Sequence, residues 1–311
     1  MLAVYNYFAE LEEDNERRRP FNRERRVLRD TNDPVQLPNV QFRRLFRVTR
    51  EVFQILIDQL TPFTAEGIRN TRLPVHLRIL AVLRFFATGS YQRGIGEEIS
   101  IAISLAVLRF FATGSYQRGI GEEISIAISQ QSLSNCITEV ASALEEMAPT
   151  WIRFPDTQDE KNNIEASFME RFGMPCVIGA VDGTHIAILQ PAQEEHAYFN
   201  RKGFHSKYVQ IICDVDLNIL SINANFGGAS HAFIWRQSAI SNYMENQYNG
   251  GERNCFLLGD SGYPLQPWLL TAVLNAAENS PEARYNSTHA SARNCIERCI
   301  GTLKGRFRCL L

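Results

Sequence analysis

No apolar stretch of the 311-residue chain approaches the ~20 residues needed to cross a bilayer, so no helical membrane span is expected. The N-terminus lacks a basic region followed by a long apolar run, and no signal peptide is expected. Cysteine is sparse and scattered. The seven thiols (Cys136, Cys176, Cys213, Cys255, Cys295, Cys299, Cys309) are odd in number and none forms a CxxC pair. Several lie in apolar runs, where cysteine acts as a small hydrophobe. They read as reduced thiols, as in the cytoplasm or nucleus. Cys295 and Cys299 share a helix face, but two thiols do not complete a zinc site. There is no GxSxG elbow, so no hydrolase-type nucleophile is indicated. The chain also lacks an overall basic excess, its net charge being −2.

The charge is unevenly spread. Arg17 to Arg50 holds eleven arginines and three acids, and Arg284 to Leu311 holds six basic residues and one acid, Glu297. Basic segments attract phosphates. Length points to two domains, or one domain and a smaller one. Residues 1–40 read as a charged, loosely ordered arm broken by Asp33-Pro34 and Leu37-Pro38. Residues 41–150 carry a helical signal, with Phe46, Phe53, Ile57 and Leu60 at helical spacing and Pro74 opening the next helix. Within this region residues 80–104 repeat identically as 105–129. Solenoids need three or more drifting units, so the repeat reads as a recent duplication or a gene-model error.

From Trp151 the pattern changes. Cys176 to Val181, His185 to Leu189, Tyr208 to Cys213, Ile219 to Asn225 and Phe256 to Gly259 read as strands. A helix is expected near Gln237 to Glu245, and a last one over Ser291 to Leu310 with Ile296, Ile300, Leu303, Phe307 and Leu310 as its buried stripe. Asp214 and Asp216 are expected on an exposed strand face.

Three acids stand in marked contexts. Asp182 ends the run CVIGAVD, Asp260 ends CFLLGD, and Glu297 lies in the amphipathic stretch NCIERCIGTLKGRF. A single aspartate after a strand is more often a turn residue. Two at strand ends with a glutamate on a later helix suit a hard cation, because Mg²⁺ and Mn²⁺ take carboxylate oxygens.

The wordings VDGTH, NRKGFHS (Asn200 to Ser206), LLGDSGYPLQPWLLT (Leu257 to Thr271) and IERCIGTLKGRFRCL (Ile296 to Leu310) closely resemble Harbinger-type transposases and their domesticated nuclease relatives, a family within the DDE superfamily endonucleases. The resemblance covers roughly residues 40–311 and is densest from 172 onward. It implies an α/β fold: an RNase H-like mixed sheet with flanking helices over residues 151–311, truncated at its C-terminal end, preceded by a helix-turn-helix-like region near Gln130 to Val140. It implies a divalent metal, Mg²⁺ or Mn²⁺, DNA strand cleavage by a two-metal carboxylate mechanism, and nuclear location. Carried over by position, the catalytic and metal-binding acids are Asp182, Asp260 and Glu297. Arg201, Lys202, Lys304 and Arg306 are candidate DNA contacts, and a separate Myb-like protein is an expected partner.

One departure stands out. The family pattern places an Asp directly after the His of the block GGASHAFIWR, and here Ala232 follows His231. That departure supports a second reading: a catalytically impaired domesticated transposase serving as a nuclear binding or scaffold protein.

Overall fold

The computed structural model describes residues 33–64, 73–88, 130–188, 195–227 and 231–311, with a few single positions beside them. The second copy of the duplicated segment and most of the charged arm lie outside these residues. The chain divides into two compact units, and the break between them at Ala143 and Leu144 falls inside one helix.

The first unit is helical. It contains α1 (Asn39–Phe46), α2 (Arg50–Leu60), α3 (Val75–Thr88) and the first part of α4 (Gln130–Trp151). Arg47, at φ 62°, ends α1 in the left-handed conformation, and Thr49 caps α2 by accepting from the Val52 N–H at 3.4 Å. Phe42, Phe46, Phe53 and Leu60 are buried, while Ile57 is only half-buried. As Pro74 predicts, α3 begins at Val75. A buried ion pair, Arg78 to Glu139 at 2.5 Å, ties α3 to α4. Part of the N-terminal basic excess is structural: Arg50 donates to the Val35 and Leu37 carbonyls and to Asn39 Oδ1. Gln130 to Val140 is the start of the continuous helix α4, and the segment before it lies outside the described residues. The helix-turn-helix-like unit is therefore not seen among the described residues.

The second unit is a mixed sheet with helices. It opens with α5 (Gln158–Phe172), a helix the sequence reading missed although Thr157 and Glu160 spell its capping box. Gly173, at φ 68°, ends it, and a turn through Cys176, at φ 60°, leads to β1 (Val177–Ala187). Cys176 therefore lies in a turn and not in a strand. The two strands expected over 176–189 are one strand, because Asp182-Gly183-Thr184 pairs without a break against Ile211-Gln210-Val209. After α6 (Glu195–Tyr198) follow β2 (Ser206–Cys213), β3 (Ile219–Phe226), α7 (His231–Arg236), α8 (Ala239–Asn249), β4 (Phe256–Leu258), β5 (Leu269–Leu270) and α9 (Pro281–Arg306).

The strand order is β3-β2-β1-β4-β5, with the first three antiparallel and β4 and β5 parallel to β1. This is the RNase H-like arrangement that the motifs imply. β5 was missed because two residues carry no periodicity. Asp214 is not on an exposed strand face. It is buried and closes the β2–β3 turn, accepting from the Asp216 and Asn218 backbone N–H groups at 2.9 and 2.8 Å.

The last helix starts ten residues before the expected Ser291, since Ser280 caps it and Pro281 occupies its first turn. The helix ends at Arg306, before the expected Leu310, and of the expected stripe Ile296 and Leu310 are buried. His289, Ala292, Cys295, Ile296 and Cys299 are buried, whereas Ile300, Leu303 and Phe307 are half-buried. Small residues at 292, 295 and 299 let the helix lie close to the sheet, and the Cys213 thiol of β2 meets those of Cys295 and Cys299 there.

Candidate metal and nucleic-acid site

Side chains alternate across a strand. On β1, Val181 joins the apolar cluster that holds Trp235, Met244, Tyr263 and Trp268. Asp182 therefore points to the opposite side, toward α9. Its Oδ1 accepts from the Gly183 N–H at 2.6 Å, and its Oδ2 accepts from Arg293 of α9 at 3.2 Å. Arg293 also donates to Glu297 Oε1, one helical turn further on. One guanidinium thus joins the first and third predicted acids.

Asp260 follows β4, the parallel neighbour of β1. Its Oδ1 accepts from the Gly262 N–H at 2.9 Å, and its carbonyl from the Tyr263 N–H at 3.1 Å, which makes a tight turn. Asp182 and Asp260 are near enough that their charges interact. Burial pushes the Asp182 carboxyl above the ordinary range, and the Asp260 charge pushes it the same way against the Gly183 N–H and Arg293. Burial also raises Tyr208 and Tyr263, with both aspartates adding to each. Gln210 donates to Tyr263 Oη at 3.3 Å. Tyr208 lies over Gly183 so closely that an added Cβ would stand 1.5 Å from its hydroxyl. Only glycine fits after Asp182.

The other sequence-predicted residues are distributed as follows. Arg201 and Lys202 are exposed in a turn built by the buried Asn200, whose Oδ1 accepts from the Lys202 N–H at 2.8 Å and whose Nδ2 donates to Ser206. Lys304 donates to the His185 carbonyl at 2.8 Å, and burial lowers its pKa with a contribution from the Lys202 charge. Arg306 is exposed at the end of α9. His185 stacks edge-on against Tyr208 at 5.2 Å and hydrogen-bonds Ser206, so it is a packed strand histidine. Ala232 is half-buried in the first turn of α7.

Lys207 was not singled out by the sequence. It is half-buried and its pKa is lowered by burial alone. Pairing with Ile186 puts it on the Asp182 side of the sheet. Lys207, Val209 and Ile211 share strand parity, and that register was the available signal.

Asp182, expected at a strand end, lies in the middle of β1 because the strand runs on through Gly183 and Thr184 to Ala187. Carboxylate oxygens from adjacent strands are the right donors for a hard divalent cation. Asp182 and Asp260 fit such an ion. Glu297 fits it by chemistry, although Arg293 holds its Oε1. Among the described residues, no three His, Cys, Asp or Glu side chains are gathered as a metal cage.

A model of the family described as "DDE superfamily endonuclease" matches residues 181–311. The chain is 38% identical over 268 residues to "Putative nuclease HARBI1" of Rattus norvegicus, covering 86% of this chain and 68% of the relative. The Homo sapiens protein of the same name is 37% identical over 243 residues, covering 78% and 61%. "Protein ALP1-like" of Arabidopsis thaliana is 24% identical over 303 residues, covering 91% and 66%. The chain thus spans about two thirds of the length of these relatives. The crystal structure of a pre-cleavage Mos1 transpososome aligns over 91% of this chain and 97% of its own at 14% identity, with a TM-score of 0.23, a likeness too slight to bear on the fold. On the strength of its motifs and its curated relatives, the chain belongs to the DDE superfamily endonucleases, among the Harbinger transposase-derived nucleases.

Proposed function

We propose that this chain is a divalent-metal-dependent DNA endonuclease of transposase origin, with Asp182, Asp260 and Glu297 as its carboxylates. The observation that carries this reading is the interaction of Asp182, in the middle of β1, with Asp260, just past the end of its parallel neighbour β4, beside the helix that bears Glu297. Neighbouring carboxylates repel, and a cation relieves that repulsion. When bound, a pair of Mg²⁺ or Mn²⁺ ions supplies an acidified water and charge neutralisation at the phosphate. Asp182, Asp260 and Glu297 would hold the metal.

The remaining work falls to the chain's cations. The Lys202 charge acts on the half-buried Lys304, an arrangement that a phosphate would neutralise. Lys207 lies on the same side of the sheet. Arg201 and Arg306 extend this basic side as exposed cations. Such contacts follow the backbone and do not select bases, so sequence recognition falls to a separate Myb-like DNA-binding protein in the nucleus.

The test is nicking of supercoiled plasmid in Mn²⁺, with a chelator control and a Glu297→Gln variant. Nicking by the wild type that disappears in both controls supports the reading; chelator-resistant nicking contradicts it. The absence of an Asp at position 232 favours a second reading, a non-cleaving scaffold. It predicts salt-sensitive DNA binding without nicking, and recovery of nicking when Asp is inserted between His231 and Ala232.

A further inference from the structure

We propose that Arg293 is the built-in counter-cation of the carboxylate site, occupying it in the absence of metal and leaving when metal binds. The proposal rests on the reading of Asp182 and Glu297 as metal ligands and concerns how that site is regulated. Arg293 Nη1 meets Asp182 Oδ2 at 3.2 Å while Nη2 is donated to Glu297 Oε1. Arg293 and Asp182 are both 17% exposed at the side chain, so the pair is largely withdrawn from water.

The helix alone does not account for this placement. An acid four residues before a base is the favoured order, and here the base comes first. What Arg293 gains is the second bond, to a carboxylate 111 residues away. Its flat fork can bridge two carboxylates, and it stays protonated at any working pH. It therefore cannot release the site by losing a proton; it can only move. It holds one oxygen of each of these carboxylates, Asp182 Oδ2 and Glu297 Oε1. Metal entry and Arg293 occupancy are mutually exclusive at those atoms, and the metal's apparent affinity is weakened by the fraction of molecules in which Arg293 is bound. Once displaced, the guanidinium stays within the length of its own side chain of the site, where an incoming phosphate can take it.

The experiment is calorimetric Mn²⁺ titration without DNA on the wild type, Arg293→Met, Arg293→Lys and Asp182→Asn proteins, paired with thermal melts in chelator and in Mn²⁺. The expected result is about tenfold tighter Mn²⁺ binding by Arg293→Met, a change worth about 1.4 kcal/mol. Its melting temperature falls in chelator and rises further on adding Mn²⁺ than that of the wild type. Arg293→Lys, whose single point charge bridges two acids poorly, lies between the two and serves if the Met protein does not fold. Equal or weaker Mn²⁺ binding by the folded Arg293 variants overturns the proposal. If that binding is also lost in Asp182→Asn, the metal site stands without the displaced arginine. No Mn²⁺ binding by any of the four overturns both.

Discussion

Val181 and Asp182 are neighbours on β1, yet they serve opposite sides of the sheet. Val181 packs into a cluster of large apolar side chains brought by α7, α8 and the segment after β4. Asp182 faces α9, whose inner surface is two small thiols, an alanine, one isoleucine, a buried histidine and an arginine. The first side fills volume with Trp235, Met244 and Trp268, and burial of that apolar area stabilises the fold. The second side packs closely but sparsely, and it accommodates charge. A carboxyl whose pKa is raised by burial costs stability at neutral pH. The domain thus keeps the strain of its chemistry away from the side that holds it together.

The largest effect expected is on the apolar side. Trp235→Ala removes a fully buried ring and its indole N–H bond to Gln266, and should cost about 3–5 kcal/mol in chemical denaturation. A cost under about 1 kcal/mol would erase the contrast between the two sides. Gly183→Ala comes next, at about 1–3 kcal/mol, because its methyl group meets the Tyr208 phenol. A double-mutant cycle sharpens this, since Tyr208→Ala should reduce the cost of the glycine change; independent, additive costs would place the strain elsewhere.

His289, buried against the Leu270 carbonyl, gives the α9 side a pH dependence. Burial and the Arg293 charge hold its pKa below the ordinary 6.5. The folded state therefore binds a proton less readily than the unfolded one. Stability is fully present above pH 6.5 and declines as pH falls from there toward the lowered folded value. His289→Gln should flatten that part of the stability curve, and an unchanged slope would assign it to another group. The smallest effect is at Lys202, an exposed cation. Lys202→Ala should weaken DNA binding equally for all sequences and reduce the salt slope by about 1. A change in sequence preference would instead make it a base contact.

Elements with strong local signals were legible in the sequence. The apolar runs before Asp182 and over Tyr208 to Cys213 marked β1 and β2. The three acids stood out because each ends or flanks such a run. What was missed depends on contacts distant in sequence. Arg293 was not singled out, since nothing near it in the chain names Asp182 as its partner. The buried stripe of the last helix was expected over Ile296, Ile300, Leu303, Phe307 and Leu310; Ile296 and Leu310 are buried, but the structure otherwise buries Ala292, Cys295 and Cys299, where small residues allow close approach. Asp214 looked exposed by alternation because the strand ends one residue earlier, at Cys213.

The contrast between the two sides is tested most directly by plasmid nicking in Mn²⁺, normalised to folded protein, for Asp182→Asn and Val181→Ala together. The account predicts that Val181→Ala loses about 2 kcal/mol of stability yet nicks at the wild-type rate per folded molecule. It predicts that Asp182→Asn stays within about 1 kcal/mol of wild type, because the amide removes a buried charge while losing the bond to Arg293. That protein should not nick at all. Wild-type nicking by Asp182→Asn, or its loss in folded Val181→Ala, would contradict the separation of fold and chemistry across this sheet.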